Sequence, residues 1–331
     1  MGGPATAGEK TAGHQQWAGR QQWAGAGEPA APGRALCWGA VTEQLCLLSV
    51  HAHPDDESSK GAPTVAKYHS EGVRCVLVCC TGGEEGDILN PAMDRPDVAD
   101  NLTEIRAREL ERASRVIGYD EVVMLGYRDS GMPGSPANQD PASFARAPLE
   151  EVTERLVEVI RRTKPHVMVV YPAHQSTYPH PDHVRVHEVG LAAFLAAGDA
   201  EVFPSAGPPW RPLKLYYTLR SSKRWLAWAE KLKEIGRELP WDDERLEMIA
   251  KAPHEQVTTE VEVGAWAHVR QEALRAHETQ VDPKSSFWFG LPPEVEAELG
   301  QVDEYHLAFD RCGSALPEDD LFAAIREKAA L

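Results

Sequence analysis

The stretch Leu45-Cys46-Leu47-Leu48-Ser49-Val50 runs directly into His51-Ala52-His53-Pro54-Asp55-Asp56-Glu57, and this junction decides how the chain is read. A short, almost wholly apolar run fits a strand buried on both faces, as strands of parallel sheets are. The polar cluster then falls at the strand's carboxyl end. Further runs at 74–80, 121–125 and 167–171 alternate with helical periodicities at 59–71, 101–117, 148–163 and 183–196. That alternation predicts an α/β fold, a Rossmann-like, mostly parallel sheet flanked by helices.

Downstream the pattern loosens. Strands are expected at 213–218 and 257–263, and helices at 222–235, 265–280 and 319–330. The helix at 222–235 carries Trp225 and Trp228, the mark of an amphipathic helix packed by its aromatic face. Pro-rich breaks at 204–212 and at Pro292-Pro293 read as loops, because no long Gly/Ser linker separates independent cores. The expectation is one domain over 44–331 with an elaborated C-terminal third. Upstream, residues 1–43 are rich in Gly, Ala and Gln and contain a tandem copy, 15–19 and 21–25. So few branched apolar residues cannot offset the ordering entropy, so a disordered N-terminal extension is expected there.

Composition narrows the partners. Among 331 residues, Asp and Glu number 51 against 34 Lys and Arg, a formal net charge of −17. Nucleic acids and anionic membrane surfaces call for clustered positive charge, so a small-molecule substrate is expected instead. No apolar run reaches the roughly 20 residues of a membrane span, and the N-terminus lacks signal-peptide regions. The six cysteines show no CxxC spacing, and four of them lie in strand-like runs. They read as reduced core thiols of a cytoplasmic protein. Adjacent Cys79 and Cys80 would point to opposite faces of a strand rather than form a redox pair.

Two polar clusters follow expected strands, the one at 51–57 and Tyr178-Pro179-His180-Pro181-Asp182-His183. A catalytic zinc commonly takes three N or O ligands and leaves a position for water. His53, Asp56 and His183 can supply that set, with His53 and Asp56 three residues apart on one side of a tight turn. Asp55, directed differently, is then free to take a proton. The bland alternative is that His53 and Asp56 are loop or cap groups. His183 and His187 stand four apart as in an HExxH helix, but Val184 replaces the required Glu, so His187 reads as a structural residue. Glu84, Glu85 and Asp87 form an acidic loop that either lines the pocket or is simply solvated.

These clusters resemble those of the LmbE-like (PIG-L) zinc N-deacetylase family, with its HPDDE-type and HPDH-type segments. Support extends to Thr81-Gly82-Gly83-Glu84-Glu85-Gly86-Asp87, to Arg106 and Glu109 in an RxxEL helix, and to Arg128-Asp129-Ser130-Gly131-Met132. The resemblance spans roughly residues 45–310. Within the family, 56–62, 86–91 and 274–283 look like the mycothiol S-conjugate amidases.

The resemblance implies hydrolysis of the amide in a mycothiol S-conjugate, giving a mercapturic acid and glucosaminyl-inositol in thiol-dependent detoxification. Alternatives within the family are N-acetylglucosaminyl-inositol deacetylation in mycothiol biosynthesis and a thiol-conjugate amidase of antibiotic biosynthesis. It implies one Zn2+ per chain, with Fe2+ as the alternative occupant, on His53, Asp56 and His183. Asp55 matches the general base, His180 the group stabilising the oxyanion, Asp182 the residue orienting the His180 ring, and Tyr178 a mobile tyrosine polarising the carbonyl. Arg106 and Asp129 match contacts to inositol and sugar hydroxyls. Lys60, where the amidases differ from the deacetylases, would meet the acyl or conjugate part of the substrate or stand idle on its helix.

Overall fold

The computed structural model describes residues 44–174, 178–253 and 255–329, so the expected N-terminal extension lies outside the described residues. In chain order the main elements begin with β1 (Cys46–His51), α1 (Asp56–Ser59), α2 (Ala62–Ser70), β2 (Arg74–Thr81), α3 (Leu102–Ile117) and β3 (Glu121–Tyr127). They continue with α4 (Leu149–Thr163), β4 (Val167–Val170), α5 (Pro181–Ala196) and β5 (Lys214–Leu219). The C-terminal third adds α6 (Ser222–Glu234), α7 (Asp243–Lys251), β6 (Thr259–Glu262), α8 (Ala267–Ala276) and β7 (Val302–Asp310).

Seven strands form one sheet in the order β3-β2-β1-β4-β5-β7-β6. The pairings among β1 to β5 are all parallel, whereas β7 runs antiparallel to both of its neighbours. The mostly parallel, helix-flanked sheet expected from the alternation is therefore present. All six residues of β1 are buried, because helices cover both faces. Leu48 and Val50 meet Val152, Leu156, Ile160, Val186 and Phe194 of α4 and α5 on one face. Leu47 joins Val65, Ala113, Ile117, Val269 and Ala273 of α2, α3 and α8 on the other. Cys79 and Cys80 fall into different clusters, as successive strand residues must.

The strand order reverses between β1 and β4. Open α/β sheets bind ligands at such a switch point, in the crevice beyond the strands' carboxyl ends, and both polar clusters leave the sheet there.

Three helical expectations differ from the structure. The helix expected over 59–71 is α2, starting only at Ala62, because Gly61 at φ 85 separates it from the short α1 that ends at Ser59. The helix expected to reach 280 stops at Ala276, where the chain turns to place His277 and Thr279 against buried carboxylates. The helix expected over 319–330 is reduced to Ile325–Ala329. Before it, Asp320 accepts from Tyr68 Oη and from the Phe322 amide, which holds the segment in turns. Trp228 does pack by its apolar face, against Leu232, Leu291, Trp241 and Phe287. Among the described residues no helix is long and apolar enough to cross a membrane.

Candidate metal centre and active site

At the end of β1 the Tyr171 hydroxyl lies 2.9 Å from His51 Nδ1 and accepts the Ala52 amide at 3.3 Å, which ties the exits of β1 and β4 together. Three residues after Ala52, Asp55 adopts φ 112, a left-handed conformation that costs a non-glycine residue on the order of 1–3 kcal/mol. It is held there from several sides. Its amide donates to Glu57 Oε2 at 2.8 Å, its carbonyl accepts the Ser58 and Ser59 amides at 3.1 Å, and Arg106 Nη2 lies 3.1 Å from Oδ2.

The left-handed corner turns the two aspartates apart. The Asp55 side chain keeps 30% of its surface open, whereas Asp56 points inward. Asp56 Oδ2 lies 3.5 Å from His53 Nδ1 and 3.3 Å from His183 Nε2, and the Lys60 ammonium bonds Oδ1. Burial raises the Asp55 pKa; the Arg106 charge opposes this and Asp56 adds to it. A carboxyl with a raised pKa beside an open pocket suits proton transfer.

The second cluster starts α5. Pro181 fills the first turn, where no N–H partner is needed, and the His180 ring caps the helix. His180 Nδ1 accepts the Asp182 amide at 3.2 Å, so the neutral ring carries its proton on Nε2. Asp182 thus meets the His180 ring through its backbone N–H and not its carboxylate. That carboxylate goes to the Ser130 amide at 2.9 Å, to the Ser130 hydroxyl, and to His53 Nε2 at 3.2 Å. The carboxylate facing His180 Nε2 is Asp129, at 3.9 Å, which also lies 3.4 Å from His53 Nε2. Tyr178 stands 48% exposed, its ring 5.9 Å from His180 and 5.0 Å from His183.

Two overlapping groups have metal-ligand composition, His53, Asp56 and His183, and His53, Asp129, His180 and Asp182. The first is the better fit. His183 Nε2 is buried without a hydrogen-bond partner, and burial pushes its pKa down to about 4, so it presents a lone pair. In the second group the Asp182 oxygens, one Asp129 oxygen and His180 Nδ1 already accept protein hydrogen bonds. Two imidazoles and a carboxylate match a zinc donor set. His180 is likewise lowered, by burial and by the neighbouring His53, and stays neutral.

Two of the expected substrate contacts have other partners. Arg106 is 2% exposed and donates to the carbonyls of Gly83 and Pro54, each at 2.6 Å. Gly83 is glycine for this reason, since a Cβ there would strike the guanidinium. Lys60 reaches Asp56 across the Tyr171 ring, 5.5 Å from its centroid. His187 bonds the Tyr171 carbonyl at 3.0 Å and belongs to neither metal group. Of the acidic loop, Glu84 accepts the Asp129 amide at 3.0 Å and Glu85 pairs with Arg128.

Sequence reasoning missed several contributors. Ser130, next to Asp129, holds the Asp182 carboxylate with its amide and hydroxyl. Glu57 and His277 form a fully buried pair at 2.7 Å, 220 residues apart. Glu109 takes the Thr279 amide and hydroxyl at 2.8 and 2.7 Å. No local signal marked these pairings, since Glu57 has Lys60 and Glu109 has Arg106 and Arg112 within one helical turn as nearer candidate partners.

A doubly wound sheet with a cluster of metal-ligand composition at its switch point is a setting for hydrolytic chemistry, and the family and relatives it matches are deacetylases and amidases, hydrolases of linear C–N bonds. The family described as PIG-L, GlcNAc-PI de-N-acetylase, matches residues 48–194, and the chain belongs to that family. A mycothiol S-conjugate amidase of Streptomyces coelicolor is 40% identical over 296 residues, 87% of this chain and 100% of that relative. A 1D-myo-inositol 2-acetamido-2-deoxy-alpha-D-glucopyranoside deacetylase of Frankia alni is 38% identical, covering 83% of this chain and 99% of the relative. Among solved structures, the N,N'-diacetylchitobiose deacetylase of Pyrococcus horikoshii aligns with a TM-score of 0.54 at 15% identity, over 81% of this chain and 85% of that one. A 4-carboxy-2-hydroxymuconate hydratase of Pseudomonas putida reaches 0.52 at 14%, over 82% and 100%, so the fold by itself does not name a reaction.

Proposed function

We propose that this chain is a zinc-dependent amidase of mycothiol S-conjugates, releasing a mercapturic acid and glucosaminyl-inositol in the cytoplasm. The observation that carries the hydrolytic reading is the unpartnered, buried His183 Nε2 facing Asp56 and His53, with the open Asp55 carboxylate alongside. The thiol-conjugate substrate is supported by the 40% identity to the Streptomyces coelicolor amidase over that relative's full length.

His53, Asp56 and His183 hold the metal. Zinc bound there supplies a Lewis acid that acidifies water and polarises a carbonyl. Asp55 takes the proton of the attacking water and passes it to the leaving glucosamine nitrogen. His180, neutral and protonated on Nε2, donates to the carbonyl oxygen as negative charge develops, and Tyr178 swings in beside it to do the same. The Asp182 amide fixes the His180 tautomer, while its carboxylate steadies His53. Lys60, beside Asp56, and Asp129, beside His53 and His180, are the groups left to meet the substrate's polar atoms. Arg106 acts on the site through Asp55, and whatever it offers to a polyol comes from the same guanidinium.

The test compares amine release from a mycothiol S-conjugate with acetate release from N-acetylglucosaminyl-inositol, using the metal-loaded enzyme, the chelated enzyme and Asp55→Ala. The conjugate is the better substrate, chelation stops turnover, and zinc restores it. Asp55→Ala keeps its metal and loses kcat by at least about 100-fold. Preference for the acetylated sugar would move the assignment to the deacetylase reaction, in line with the Frankia alni relative. Full activity of Asp55→Ala would remove the base.

A further inference from the structure

Directly behind Asp55 lies a charged pair that the proposed chemistry leaves unused. Glu57 and His277 are both 0% exposed, and their Oε1 and Nε2 lie 2.7 Å apart. Oε1 also accepts the Ser58 hydroxyl at 2.6 Å, and the second oxygen, Oε2, accepts the Asp55 amide at 2.8 Å. A carboxylate this deeply buried is costly unless it is paired and hydrogen-bonded. Here each oxygen has its partner, and the partner of Oε2 is the backbone of the one strained non-glycine residue in the pocket, Asp55 at φ 112.

His277 is itself held independently of Glu57. It follows the last residue of α8, and the segment after it is docked by Glu109, which takes both the amide and the hydroxyl of Thr279. The Thr279 and Glu278 carbonyls accept from Leu89 and from Asn90 Nδ2. The backbone that carries the ring is therefore set by the surrounding fold, and the hydrogen bond of the ring itself goes to Glu57, with Nδ1 buried and unbonded.

We propose that His277, acting through Glu57, is a positioning residue for Asp55. The imidazole fixes the Glu57 carboxylate, Glu57 fixes the Asp55 amide, and the left-handed backbone so maintained turns the Asp55 carboxylate away from Asp56 and into the open pocket. Without the imidazole, Oε1 keeps only the Ser58 hydroxyl, the buried carboxylate loses the partner that meets its charge, and Glu57 rotates towards solvent. Asp55 then relaxes to negative φ, and its carboxylate swings off the water it must deprotonate. The inference rests on the reading of Asp55 as the base, and it adds a residue about which the metal-ligand set is silent.

The experiment uses the full chain, metal-loaded, with His277→Leu, which keeps bulk but no donor, and His277→Gln, whose amide N–H reaches the place of Nε2. His277→Leu keeps its metal content and a KM within about twofold of wild type, while kcat falls about 10- to 100-fold. His277→Gln restores kcat to within about threefold of wild type. A crystal structure of His277→Leu shows Asp55 at negative φ, a readout independent of turnover. Wild-type kcat in His277→Leu, equal loss in both variants, or an unchanged Asp55 backbone each overturns the proposal. Should His277→Leu not fold, His277→Asn, whose amide falls short of Glu57, takes its place against His277→Gln with the same criteria. Asp55→Ala in the same assay separates the two readings. If it stays active the base assignment fails, and the crystallographic φ still decides the clamp; if it is dead and His277→Leu is not, only the clamp fails.

Discussion

Asp55 and Asp56 are adjacent and chemically identical, yet one faces a pocket and the other a nest of imidazoles. The difference arises from a single backbone torsion, φ 112 at Asp55, retained by Glu57, Arg106 and the first turn of α1. Strain of this kind is local and measurable. Asp55→Gly and Asp55→Ala both delete the carboxylate and its contact with Arg106, but only glycine adopts positive φ freely. Asp55→Gly should therefore be more stable than Asp55→Ala by about 1 kcal/mol in urea unfolding, with both inactive. Equal stabilities would mean that the corner stores no strain. That His53, Asp56 and His183 come together was legible in the sequence, because zinc chemistry asks for few residue types and the two clusters each follow a strand. The pairing of His277 with Glu57 was not, since the two lie 220 residues apart and only the folded chain brings them together.

The strands β1, β2 and β4 were legible because burial on both faces demands unbroken apolar runs, and the half-exposed edge strand β3 keeps an apolar run as well. β7 was not, because its sequence breaks that pattern with adjacent carboxylates. Asp303 and Glu304 are buried, and their charge is met from distant elements, Asp303 by Arg270 and Thr64, Glu304 by the Ser221 amide and hydroxyl. Such satisfaction is tertiary and leaves no local trace. The α1–α2 boundary has the opposite character, a local device hidden in a helical periodicity. Gly61 sits at φ 85, and a Cβ there would lie 2.9 Å from the Tyr305 hydroxyl. Gly61→Ala should destabilise the protein by roughly 1–3 kcal/mol, read as a lower urea midpoint. Because Lys60 and Asp56 sit on the displaced turn, metal affinity should fall with it. An unchanged midpoint would show that the turn tolerates a side chain.

For the molecule as a whole, the buried thiols of the central strands set an alkaline limit. Burial pushes the Cys46 thiol up to about 12, against about 9 in an unfolded chain. Between those values the unfolded state releases a proton that the folded state keeps. The stability present below pH 9 is thus lost as pH rises, by about 1.4 kcal/mol per unit from this group. Urea midpoints at pH 8 and 10.5 should show a steeper fall for the wild type than for Cys46→Ala; parallel falls would exonerate the thiol. The order of the sheet carries a last consequence, for biosynthesis. β6 joins the sheet only through β7, which follows it in the chain. On the ribosome, the parallel strands β1 to β5 can collapse together while β6 has nothing to pair with. A nascent or truncated chain ending before β7 would therefore expose the edge of β5 and leave β6 loose, a sticky intermediate that lasts until β7 is made.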